Sequence, residues 1–166
     1  MSSEALPSDA RARVITVSDR SHGGLRHDTS GPLLAELLRD ELGFSEAEVL
    51  VVPDEVPEIE AALRSAVSDG YDLVVTTGGT GFAPRDVTPE ATRRVLDKEA
   101  PGLAEALRQH NRDKVPTTIL SRAVAGVSGG AIVVNLPGST GAVRDGIEVL
   151  APVIGHAIVQ LRGGDH

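Results

Sequence analysis

Short apolar runs alternate along this chain with stretches whose apolar residues recur every three or four positions. The runs are Arg13-Val14-Ile15-Thr16-Val17-Ser18, Val49 to Val52, and Leu73-Val74-Val75 with Thr76-Thr77. They are brief and rich in β-branched side chains, which predicts buried strands of a parallel sheet. Between them, Leu33, Leu34, Leu37, Leu38 and Leu42 mark one face of a helix opened by Ser30-Gly31-Pro32 and ended by Gly43. Ile59, Ala62, Leu63, Ala66 and Val67 mark a second helix, which follows Val56-Pro57 and has Gly70 beyond its end. Strands alternating with amphipathic helices predict βαβ units and a mostly parallel sheet.

The second half begins with a predicted helix from Thr88 to Leu96. Thr88 is read there as an N-cap hydroxyl, with Pro89 at the first helical position and Glu90 in the first turn. Another helix starts at Pro101 and carries Leu103, Ala106, Leu107 and His110. The pattern then changes. Ala123 to Val127 and Ala131 to Leu136 flank Ser128-Gly129-Gly130, which predicts a β-hairpin and hence an antiparallel strand. The last helix aligns Val143, Ile147, Leu150, Ile154 and Ile158, and Pro152 should kink or restart it.

With 166 residues, 40% of them hydrophobic, one globular domain over residues 13–166 is expected, preceded by a loose tail over residues 1–12. Only Phe44, Tyr71 and Phe82 are aromatic, so the core must be aliphatic and a base-stacking platform is disfavoured. A net charge of −8 also speaks against nucleic acid and anionic membrane, yet a local nest of N–H groups or a bound cation can still attract a phosphorylated small molecule. The absence of cysteine removes disulfides, thiolate catalysis and Cys-based zinc sites. No run reaches membrane-spanning length and MSSEALPSDARAR lacks the apolar segment of a signal peptide, so a soluble, cytoplasmic protein is expected.

Candidate chemistry gathers where predicted strands end. Thr77 leads into Gly78-Gly79-Thr80-Gly81, and Arg85-Asp86 stands between that turn and a helix N-terminus. Glycine permits positive φ and close backbone approach, so this edge suits an anion, although an unliganded tight turn has the same pattern. It is neither a Walker A loop nor a dinucleotide fingerprint. Asp54, in Val52-Pro53-Asp54-Glu55, and Asp86 each lie just past a strand and can together hold Mg²⁺ and draw phosphates to it. Asp54 equally suits a solvated turn. Pro137-Gly138-Ser139-Thr140 repeats the strand, glycine and helix device, either as an anion pocket or as plain capping. Ser18-Asp19-Arg20 and Arg26 add groups able to bind phosphate, while His22 and His27 lack a third metal ligand. No Ser-His-Asp arrangement is evident. Alignment and charge neutralisation of phosphates fit better than a covalent nucleophile.

Val75-Thr76-Thr77-Gly78-Gly79-Thr80-Gly81, followed by Arg85-Asp86-Val87-Thr88-Pro89-Glu90-Ala91, resembles the signature of the MogA/MoaB family of molybdopterin adenylyltransferases, which includes the G domains of gephyrin-type proteins. Val17-Ser18-Asp19-Arg20, Asp28-Thr29-Ser30-Gly31, Leu120-Ser121-Arg122-Ala123-Val124-Ala125-Gly126-Val127 and Asn135-Leu136-Pro137-Gly138-Ser139 extend the likeness from about Arg13 to Leu161. The resemblance implies a three-layer α/β/α domain assembling as a homotrimer. It implies adenylylation of molybdopterin by Mg-ATP with release of pyrophosphate, and hand-over to a molybdate-insertion protein. It places Asp54 and Asp86 on the two acidic active-site positions, and the glycine loop with Pro137-Gly138-Ser139 on pterin- and phosphate-binding positions. The acidic pair is MogA-like, whereas Ser121 to Val127 and Pro137 to Thr140 look closer to MoaB. A MoaB-type protein that holds molybdopterin without adenylylating it is therefore the alternative. Related molybdate-insertion and competence-associated families share the glycine loop but are usually longer.

Overall fold

The structure is a computed structural model and describes residues 4–164. Six strands form one sheet in the order β2-β1-β3-β6-β5-β4. They are β1 (Arg11–Val17), β2 (Glu46–Val52), β3 (Leu73–Thr77), β4 (Lys98–Glu99), β5 (Ala125–Ser128) and β6 (Ala131–Leu136). β1, β2, β3 and β6 run parallel, while β5 is antiparallel to both of its neighbours. The two-residue turn Gly129-Gly130 makes the expected hairpin between β5 and β6, with Gly129 at φ 55°. β4 has no counterpart in the sequence reading, because its two residues are charged, exposed and without apolar pattern.

Helices cover both faces. Side chains alternate along each strand, so Val14, Val75 and Val134 join one core with residues of α2 (Ser30–Asp40), α6 (Thr140–Leu150) and α7 (Ile154–Leu161). Ile15, Val74 and Val133 join the other core with α3 (Val56–Ser68) and α4 (Thr88–Arg93). Leu34, Leu38, Ile59 and Leu63 are completely buried, and each such side chain contributes about 1.5–3 kcal/mol. The layering follows from connection handedness. The chain steps from β1 outward to β2 and then back across β1 to β3, so right-handed crossovers put α2 and α3 on opposite faces.

Some expectations change. The long loop after β1 contains a single-turn helix, α1 (Asp19–His22). The helix after the glycine loop stops at Arg93, and α5 (Pro101–Gln109) follows the short β4. A 3₁₀ segment occupies Pro116–Leu120. At Pro152 the final helix restarts, α6 ending at Leu150 and α7 beginning at Ile154. The stretch read as a loose tail is held from Glu4 onward. Glu4 lies 2.8 Å from His156 Nδ1, Asp9 pairs with Arg162 at 2.9 Å, Ala10 is buried and β1 already starts at Arg11. Residues 1–3 lie outside the described residues. At the sheet's opposite end from the loops discussed next, Tyr71 is 4% exposed, with the Arg11 and Arg13 guanidinium carbons 4.3 and 4.7 Å from its ring centre.

Candidate functional site

The parallel strands finish level with one another. Val17 pairs with Val52, Thr16 with Thr77, and Thr77 with Leu136, so the loops after β1, β2, β3 and β6 emerge side by side. After β1 the chain heads for α2 on one face, and after β3 for α4 on the other. This divergence makes a topological switch point, where open α/β sheets bind ligands at the carboxyl ends of strands. A cleft of about 510 Å³ opens there, lined by Ser18, Asp19, Arg20, Asp54, Thr77 and Asp86 among others. A second hollow of about 760 Å³ lies beyond the glycine turn, between Thr80, Gly81, the 3₁₀ segment and the start of α6 at Pro137 to Ser139. Gly78, Gly79, Gly138 and Asp86 line both, so the wall between them is largely bare backbone.

The glycine turn needs its glycines. Gly78 has φ 103°, and a Cβ there would overlap the Val17 carbonyl oxygen. Gly79 has φ 71°, and a Cβ would strike the Thr88 hydroxyl and lie 3.2 Å from Asp54 Oδ1. Thr88 does not cap α4. Val87 holds the cap position without a side-chain bond, and the buried Thr88 hydroxyl donates to Gly78 O at 3.0 Å. A chain of buried bonds supports that contact. Thr92 donates to Thr88 O at 2.7 Å, and Asn135 Nδ2 donates to the hydroxyls of Thr92 and Thr76 at 3.0 and 2.9 Å. Asn135 Oδ1 accepts from Val124 N–H at 3.2 Å, so the side chain is satisfied at complete burial. Thr77, which lines the cleft, also donates to Pro137 O at 3.1 Å, with Ser30 Oγ 3.3 Å away, tying β3 to the turn after β6.

The two acids meet at one cleft. Asp54 Oδ2 accepts from Asp19 N–H at 2.8 Å, and Asp54 N–H donates to Asp19 Oδ1 at 2.9 Å, a reciprocal clasp between the β1 and β2 loops. Asp86 Oδ2 accepts from Ala83 N–H at 3.0 Å. The other oxygen of each aspartate has no hydrogen bond to a described residue. Burial pushes the Asp54 carboxyl above its usual range, and the charges of Asp19 and Asp86 push the same way, against the Asp19 N–H and Arg85. Two free carboxylate oxygens at a half-buried, negatively biased rim suit Mg²⁺, which takes oxygen ligands and keeps several waters. The residues present therefore fit that ion.

Arg85 is committed to protein partners. Its Nε donates to Asp19 Oδ2 at 2.6 Å and its Nη2 to Glu55 Oε1 at 2.8 Å. This fork holds the Asp19 carboxyl below its usual range, and the two acids raise Arg85 in turn. Arg20, by contrast, is exposed at the cleft, and like Arg26 makes no ion pair with a described residue. Ser18 and Ser139 are N-caps, accepting from Ser21 and Ala142 N–H at 3.1 and 3.0 Å. Thr80 is buried beside the second hollow, and its carbonyl accepts from Arg122 N–H at 2.8 Å.

Sequence reasoning gave no role to Arg144, which lines the second hollow, or to Arg122 behind the glycine loop. Ligand atoms of His110, Asp145 and Glu148, the two acids lining the second hollow, lie within 4.8 Å of one another. The 2.7 Å contact between His110 Nε2 and Glu148 accounts for that closeness without an ion. No described helix is long and apolar enough to cross a membrane.

Residues 13–156 match the family described as "Probable molybdopterin binding domain". The chain is 42% identical over 155 residues to a "Molybdenum cofactor biosynthesis bifunctional protein" of Synechococcus elongatus, covering 93% of this chain and 48% of that protein. It thus spans about half the length of that relative. It is 40% identical over 153 residues to a "Molybdopterin adenylyltransferase" of Helicobacter pylori, covering 90% of this chain and 86% of that one. Among solved structures, the molybdopterin biosynthesis Mog protein from Mycobacterium ulcerans superposes with a TM-score of 0.86 at 49% identity, covering 92% of this chain and 99% of that one.

Proposed function

This chain belongs to the molybdopterin-binding domain family, and we propose that it is a molybdopterin adenylyltransferase, which transfers AMP from ATP to the terminal phosphate of molybdopterin and releases pyrophosphate. One observation carries the reading. Asp54 and Asp86, from separate crossover units, line one cleft, and that cleft adjoins a second hollow through a glycine wall. A relative of similar length, named for this activity, supports the same assignment.

In this reading the nucleotide phosphates lie in the cleft with Arg20, Arg26 and the two acids. The pterin takes the larger hollow, where Phe82, Val115, Leu120 and Ala142 offer apolar surface beside Ser139 and Arg144. A terminal phosphate oxygen of molybdopterin attacks the α-phosphorus of ATP. The bond from that phosphorus to the oxygen bridging the β-phosphate breaks, and pyrophosphate leaves with the electron pair. Asp54 and Asp86 would hold Mg²⁺, which would supply charge neutralisation for the polyphosphate. The protein's part is orientation. Asp19 N–H and Ala83 N–H fix the second oxygen of each acid, and the glycine wall brings the two occupants within bonding reach without side chains between them. The reading carries with it a homotrimer in the cytoplasm that passes its product to a molybdate-insertion protein, and sedimentation of the purified chain checks the assembly.

The test is pyrophosphate release from Mg-ATP in the presence of molybdopterin. Asp86→Asn and Asp54→Asn are each expected to lower turnover on the order of 10²-fold or more, the scale of losing one preorganised electrostatic contact. Full turnover in both variants refutes the roles given to the acids. Tight pterin binding by the unaltered chain without ATP binding replaces the reading with that of a carrier.

A further inference from the structure

We propose that Arg122 is a positioning residue of this site, whose guanidinium fixes the loop 81–86 and through it the Asp86 carboxylate. The inference rests on the assignment of Asp86 to the reacting centre. None of the residues from Gly81 to Asp86 is buried, and Phe82 is 72% exposed. With no buried residue in it, the loop is held by polar contacts: Arg85 ties its middle to Asp19 and Glu55, which leaves the two ends to be fixed.

Both ends of the loop converge instead on one side chain. Arg122 Nε donates to Gly81 O at 2.8 Å, and Nη2 donates to Asp86 O at 2.7 Å. Nη1 donates to the Glu90 carboxylate at 2.7 Å, inside the first turn of α4. Within the loop, Asp86 N–H donates to Ala83 O at 2.9 Å and Ala83 N–H returns a bond to Asp86 Oδ2 at 3.0 Å. Once the ends are fixed, that closed turn sets where the free carboxylate oxygen points. Arg122 is anchored in its turn, since the next residues, Ala123 and Val124, are buried and Val124 N–H donates to Asn135 in β6. The planar fork of a guanidinium can serve three acceptors in different directions, and a lysine ammonium on its flexible stem cannot hold the same three at once.

The experiment compares Arg122→Lys, Asp86→Asn and the double variant in the full chain, by hydrogen exchange of the Ala83 and Asp86 amides, by Tm and by AMP transfer. In Arg122→Lys both amides should exchange roughly tenfold faster or more at near-unaltered Tm, as for losing a charged hydrogen bond. Turnover should fall by a similar factor, mainly in kcat, and the double variant should be no slower than Asp86→Asn alone. Should Arg122→Lys not fold, Arg122→Gln, which keeps one donor arm, is measured in the same way. Unchanged amide exchange overturns the proposal. So does faster exchange with unchanged turnover, or a double variant in which the two losses multiply. If the unaltered chain transfers no AMP, the functional reading fails by itself, and amide exchange alone decides whether Arg122 fixes the loop.

Discussion

The turn after β3 passes through two residues at positive φ and is tied from below by a hydroxyl that the following helix donates. The turn after β6 has no described residue at positive φ from Pro137 to Gly141 and closes on its own Ser139. In sequence both are an apolar run, a glycine turn and a helix start. The first draws its rigidity from distant residues, Asn135 in β6 and Arg122 before β5, while the second relies on its own cap and a tie from Thr77 to Pro137 O. One sequence pattern thus yields a braced loop that presents an acid and a self-capped helix start that borders a hollow. Substitutions far from the first turn should disturb it, whereas the second should respond chiefly to substitutions within it and at Thr77.

The largest expected effect is at Gly78. Alanine there combines backbone strain, on the order of 1–3 kcal/mol, with overlap on the Val17 carbonyl, so urea unfolding should show a loss of about 3 kcal/mol or more. Gly138→Ala, whose Cβ would sit 3.3 Å from Gly78 Cα with no φ penalty, should cost under about 1 kcal/mol. Equal costs would erase the contrast between the turns.

Next comes Asn135→Leu, which leaves the Thr76 hydroxyl and the Val124 N–H without their partner and takes from Thr92 the bond it accepts. A loss of about 2–3 kcal/mol is expected, with faster amide exchange around Gly79 and Thr88 and little change at Ala142. Ser139→Ala should cost about 1 kcal/mol, the usual worth of an N-cap, and should leave the exchange of residues 78–88 unchanged.

The smallest effect is a pH dependence. Because the folded-state carboxyl of Asp54 is raised, chiefly by burial, its stabilising contribution is complete below the unfolded value near about pH 4 and is lost as pH rises through the folded value. In ligand-free protein with chelator present, Asp54→Asn should therefore gain Tm relative to the unaltered chain on going from about pH 4 to about pH 7. A Tm difference that stays flat or falls with pH contradicts that assignment.

The parallel strands and main helices were legible because their periodicities are strong and local. The two acids could be named from their places at strand ends, and the sheet's level finish is what brings them together. The bracing was not legible. Asn135, Thr76, Thr88 and Thr92 come from β6, β3 and α4, and nothing in their spacing shows that the Asn135 amide joins Thr76 to Thr92 and, through Thr92, reaches Thr88. Thr88 before Pro89 reads as a cap by local rules, but its burial under Gly78 redirects the hydroxyl to a carbonyl. Arg85 looked free to face a bound ligand because Asp19 and Glu55 arrive from other loops. β4 escaped because two charged edge residues carry no pattern, and the N-terminal stretch because its anchors, His156 and Arg162, stand at the other end of the chain.

The placing of Tyr71 beside Arg11 and Arg13 has a practical consequence. With no tryptophan and a single tyrosine, the intrinsic emission of this chain comes from one ring, placed at the amino ends of the strands while ligands would enter at the carboxyl ends. Tyrosine fluorescence should therefore follow unfolding and stay nearly silent to nucleotide or pterin, so a stability titration can be run in the presence of either without correcting the baseline for occupancy.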